Sequence, residues 1–284
     1  MTTEITTPSL PTTATTPTTA TTPTTAAAIP VIPAPLTADD YAGYPLATPE
    51  ASAEPARSPG GDAPPSTGFR RRAVGISAAV GGALVAAGFA TTVWEGAEGK
   101  LPYLDSLVVD PMRSQVAAIL LFFGYMGLAP MLLAFTAMTR RRGHVLGTVA
   151  LAVSWIGTLA LPGLLVTDFY DMAIRQQLPA ETAVRVSDAA QDLPLAVLIG
   201  GPTTMLVFLG MVLGAIAAWR AGFFHWAFAL LVVVSVGIMM VPLGQQFSAL
   251  TNIVSGALLG LFMITVGVAA LRMTNREWVT GERR

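Results

Sequence analysis

Residues 116–166 hold two apolar runs joined only by Thr139-Arg140-Arg141-Arg142-Gly143, and this hairpin constrains the chain more than any other stretch. The first run, VAAILLFFGYMGLAPMLLAFTAM, has no charged residue over 23 positions. The second, HVLGTVALAVSWIGTLALPGLLV, has one histidine at its start and nothing else ionisable. At 1.5 Å per residue each can cross a hydrocarbon layer about 30 Å thick. An arginine at mid-membrane costs a few kcal/mol, so three in one turn must sit in water. Short arginine-bearing loops stay cytoplasmic, which predicts a hairpin with its turn inside and both open ends outside.

Composition agrees with a chain solvated mostly by lipid. Only 12% of its residues are charged, against about 25% in an ordinary soluble domain. The net charge of -1 leaves no basic excess for nucleic acid. Cysteine is absent, which excludes disulfides, thiolate catalysis and cysteine metal sites together.

The same reading along the chain predicts an all-α polytopic membrane bundle with a six-span domain over 68–273. Its transmembrane helices fall at about 73–94, 116–138, 144–166, 195–219, 223–241 and 249–271. Spans five and six are divided at Pro242-Leu243-Gly244-Gln245-Gln246, because proline and glycine end helices and glutamines seek water. Arg70, Arg71 and Arg72 precede span one, Arg140, Arg141 and Arg142 form the hairpin turn, and Arg220 and Arg272 follow spans four and six. These arginines determine the topology and put both termini in the cytoplasm. Lys100 is the sole lysine, and the Arg, Ala, Gly, Val and Pro bias fits a GC-rich bacterial genome. The expected location is therefore a bacterial cytoplasmic membrane.

Residues 1–67 read as a disordered, Thr/Pro-rich cytoplasmic tail: Pro11, Pro17 and Pro23 stand six apart, and such sequence buries too little apolar area to offset ordering entropy. Residues 274–284 read as a short cytoplasmic tail. Residues 95–115 and 167–192 read as outer loops. In the second, Asp171 and Arg175, and Glu181 and Arg185, have i,i+4 spacing, and Pro179 is placed to open a short surface helix.

Intramembrane ionisable residues mark ion paths and catalytic pockets, and the six spans carry no Asp, Glu, Lys or Arg between their ends. No catalytic, cofactor-binding or metal-ligating residue is predicted, and no cofactor. His144 and His225 sit at the arginine ends of spans, which favours capping beside headgroups over haem or metal ligation. Ser77, Ser154, Ser235 and Ser255 have no base at matching depth, so packing and bonding back to helix carbonyls is the favoured role. Gly210 with Gly214, and Gly256 with Gly260, are small-xxx-small pairs for close helix packing. Gly75, Gly81, Gly82 and Gly88 give span one a small-residue face. Pro130 and Gly200-Gly201-Pro202 break their helices in mid-membrane. At the outer rim, Asp168, Asp171, Asp188 and Asp192 offer oxygen ligands to a hard cation if the loop gathers them. The competing and favoured reading is that outer loops are acidic because basic residues are kept inside.

The Gly/Ala-rich first span and the short turns RRRGHVLG and WRAGF resemble uncharacterised six-span bacterial membrane proteins, grouped only as domains of unknown function. The resemblance covers residues 70–273 and implies the bundle without an activity. Expected partners are the lipid bilayer and either another membrane protein or a second copy of the chain. The expected role is non-enzymatic, as a scaffold, sensor or modulator, with a permease for a neutral or lipid-like substrate as the alternative.

Overall fold

The computed structural model describes residues 65–240, apart from 96 and 98, and residues 248–282. The Thr/Pro-rich tail, but for its last three residues, lies outside the described residues, as does the Pro242–Gln246 break. Among the described residues every regular element is a helix. Five segments are long and apolar enough to cross a membrane. They are α1 (Pro65–Thr91), the pair α3 (Pro111–Met126) and α4 (Leu128–Thr139), α5 (His144–Gln177), the pair α7 (Pro194–Gly200) and α8 (Pro202–Arg220), and α10 (Ser248–Arg272). The sixth apolar segment, α9 (Phe228–Met240), is shorter at 13 residues. Residues 241–247, which follow it in sequence, lie outside the described ones.

Lipid supplies no hydrophobic drive between helices, so close backbone approach must hold the bundle. The glycines show where that happens. Along the antiparallel α1–α10 seam, a Cβ on Gly82 or on Gly260 would lie 2.5 Å from the other's carbonyl oxygen. One heptad away, a Cβ on Gly267 would lie 2.5 Å from the Gly75 oxygen. Gly81 faces elsewhere: its Cβ would come within 2.6 Å of Gly127 Cα, and one on Gly88 within 2.6 Å of the Leu121 side chain. Neighbouring helix positions are 100° apart. The single small-residue face expected on span one is therefore two faces, and α1 is gripped on one side by α10 and on the other by α3–α4.

The other predicted glycines are packed as well. Gly210 lies against the Ser154 side chain, Gly256 against the Phe89 ring, and a Cβ on Gly214 would meet the Phe135 ring at 2.9 Å. Between these seams the centre is filled by Met131, Phe135, Val207, Met211, Phe262 and Met263, all essentially buried. Phe262 stacks on Phe228 with ring centroids 4.6 Å apart.

Most buried hydroxyls within the bundle are bonded, though Thr158 Oγ1 on α5 has no partner among the described residues. Ser154 bonds back to the Ala150 carbonyl at 2.5 Å, as expected. Ser235 and Ser255 instead bond across α9 and α10, each hydroxyl donating to the other's carbonyl, at 2.9 and 2.7 Å. Back-bonding was the wrong expectation for these two, because a facing hydroxyl and carbonyl were brought within reach.

Both predicted breaks are present. The first falls at Gly127, one turn before Pro130, whose ring removes a donor and crowds the preceding turn. The second falls at Gly201, where Thr204 Oγ1 donates to the Gly200 and Gly201 carbonyls at 2.9 and 2.7 Å and Thr203 Oγ1 to the Leu198 carbonyl at 2.6 Å.

The topology arginines gather at one end of the bundle. Arg71 reaches the last turn of α10, donating to the Leu271 carbonyl at 2.5 Å and to Asn275 at 3.3 Å. Arg70 and Arg72 are exposed on α1, and Arg272 is in the last turn of α10. Residues 275–280, expected as tail, form α11 (Asn275–Thr280). Thr274 and Glu277 close a capping box at its start, and Trp278 is buried. Arg140 donates to the Val279 carbonyl at 3.2 Å, and Arg141 pairs with Glu282. Gly143 turns α4 into α5 with a left-handed φ of 82°, a conformation that favours glycine.

Candidate functional site

The opposite, acidic end departs furthest from sequence expectation. The helix that carries span three does not stop at residue 166: α5 runs 34 residues, about 51 Å at 1.5 Å per residue, and carries Asp168, Asp171 and Arg175 on its last turns. Residues 95–115 are largely helical rather than loop. They form α2 (Lys100–Val109) and the start of α3, where Asp110 caps the helix by accepting from the Arg113 amide at 3.1 Å and Pro111 takes the first turn. The predicted surface helix is α6 (Ala180–Gln191), with Pro179 as its cap rather than its first residue.

These elements meet at Asp171, which is only 6% exposed. The Tyr103 phenol of α2 donates to Asp168 Oδ1 at 2.8 Å and more weakly to Asp171 Oδ2 at 3.3 Å. Positions i and i+3 share one helix face, so a single phenol can serve both carboxylates. Ser187 of α6 donates to Asp171 Oδ1 at 2.6 Å. Lys100 Nζ stands 3.6 Å from Asp171 Oδ2 and lies over the Tyr103 ring, 4.7 Å from its centroid. One buried carboxylate thus joins α2, α5 and α6. Burial foremost, then the charge and hydrogen bonding of Asp168 and after it Asp171, push the Tyr103 phenol well above its ordinary range. It therefore remains a protonated donor.

Arg175 does not pair with Asp171 at i+4 as its spacing predicts. Its Nε binds Asp105 of α2 at 2.7 Å, because Asp171 already faces Tyr103, Lys100 and Ser187. Arg113 ties α3 to the end of α1, its Nε donating to the Thr91 carbonyl at 2.6 Å. Of the four acids expected at the rim, Asp168 and Asp171 are brought together. Asp188 is half-buried on α6 and Asp192 is exposed at its end. Among the described residues no three His, Asp or Glu side chains are grouped to hold a metal ion.

Sequence reading missed Tyr103, Lys100 and Ser187. A signal for the first two was present: Lys100 and Tyr103 are three apart and precede the Asp110-Pro111 helix start. At the arginine end, His144 opens α5, and His225 Nδ1 accepts from the Ala227 amide at 3.3 Å. Compared with protein-family models, curated proteins and solved structures, the chain matches none.

Proposed function

We propose that the chain is a non-enzymatic, multi-pass protein of a bacterial cytoplasmic membrane, with its arginine end inward, acting as a sensor or modulator through its acidic cap. The observation that carries this reading is the Asp171 knot on α5. The knot ties two surface helices to one helix, and that helix runs unbroken to the arginine turn. A catalytic carboxylate needs a face open to substrate, whereas Asp171 is enclosed by its three partners. A continuous helix linking two surfaces is an element such coupling can use.

The alternative, a permease for a neutral or lipid-like solute, would use the Gly201 break. Threonine hydroxyls already occupy the carbonyls there, which favours the first reading. In nanodiscs, Asp171→Asn should change severalfold the rate at which a cysteine at Val145 reacts with a maleimide. An unchanged rate would sink the coupling. Protein-dependent glycerol or sugar flux in liposomes, abolished by Thr204→Val, would favour the permease.

A further inference from the structure

The arginine end holds an open cavity of about 600 Å³ between the start of α5 and the end of α8. This is within the ~300–1,000 Å³ typical of small-molecule sites. Gly143 brings the two helices together there, since a Cβ on it would lie 3.4 Å from the Ala217 carbonyl oxygen. Arg142 and Arg220 therefore line one space together with His144, and no carboxylate among the described residues lines it. Neither arginine has an ion-pair or hydrogen-bond partner among the described residues, unlike Arg71, Arg140 and Arg141 on the same end. The first hydrogen bond of α5 runs from the Gly147 amide to the Gly143 carbonyl, and no side chain caps the start. The amides of residues 144–146 thus lack partners within the helix and add to the positive field. The remaining wall is apolar: Val145 is 64% exposed and Val149 44%. Ile156, 59% exposed, continues their stripe along α5 toward mid-membrane.

We propose that this cavity binds one anionic phospholipid, its phosphate between Arg142 and Arg220 and an acyl chain along Val145, Val149 and Ile156. Two unpaired cations beside an apolar rail match an amphipathic anion rather than a free one. The site stands independently of the sensor reading.

The test is native mass spectrometry of the full chain in detergent, titrated with phosphatidylglycerol or zwitterionic phosphatidylcholine. Wild type should retain phosphatidylglycerol preferentially. At about 1 kcal/mol per arginine, Arg142→Gln with Arg220→Gln should weaken that retention about thirty-fold. Arg70→Gln with Arg72→Gln removes the same charge from the same end, away from the cavity, and should leave retention unchanged. Millimolar inorganic phosphate or glycerophosphate should not displace the lipid. Equal losses in the two double variants would mean diffuse attraction and would overturn the proposal. So would wild type binding both lipids equally, or full displacement by free phosphate.

Discussion

At the scale of single residues, the acidic end depends on one phenol. Tyr103→Phe keeps the ring under Lys100 but removes the donor shared by Asp168 and Asp171. A buried acceptor left unpaired costs about 1–3 kcal/mol. We expect that loss in detergent unfolding, with α2 freed for proteolysis. Tyr103→Phe unfolding like the parent would show that Ser187 and Lys100 suffice. The two aspartates were legible as rim residues because acids stand where a span emerges. Their partners were not, since Tyr103 lies 65 and 68 residues away in sequence and no local periodicity announces a contact of that range. The same limit explains Arg175: i,i+4 spacing makes a pair available, and the tertiary neighbour Asp105 replaces it.

At the scale of elements, apolar length located the helices long enough to cross a membrane, but their ends and faces depended on packing. The start of α1 lies well before the apolar run, so Arg70 to Arg72 ride on the helix itself. Glycine positions were readable, but which helix each one meets was not. That distinction gives a paired prediction. Gly260→Leu must push the Gly82 carbonyl and Ala86 aside along the α1–α10 seam. Overpacking costs about 1–3 kcal/mol, so a clear loss of thermal stability in detergent should follow. Gly237→Leu on α9 has nothing within 4 Å of its Cβ among the described residues and should be silent. Equal melting of the two variants would mean that the α1–α10 approach does not hold the bundle.

At the scale of the whole molecule, the bundle has one arginine-rich end and one acidic end, with α5 the longest of the helices that run between them. Arginine clusters are retained on the cytoplasmic side, so the arginine end is expected to face the cytoplasm. The absence of cysteine makes this directly testable, and the structure chooses the positions. Ser106, in the expected outer loop, is a poor reporter because it is buried and bonded to the Tyr103 carbonyl at 2.7 Å. Val186 on α6 and Val279 on α11 are better placed, 42% and 44% exposed. On intact cells a membrane-impermeant maleimide should label Val186→Cys and spare Val279→Cys until the cells are lysed. The opposite pattern would invert every span and place the Asp171 knot in the cytoplasm. Labelling of both on intact cells would mean that the two ends share one side, which a bundle with five membrane-length segments running between them does not permit.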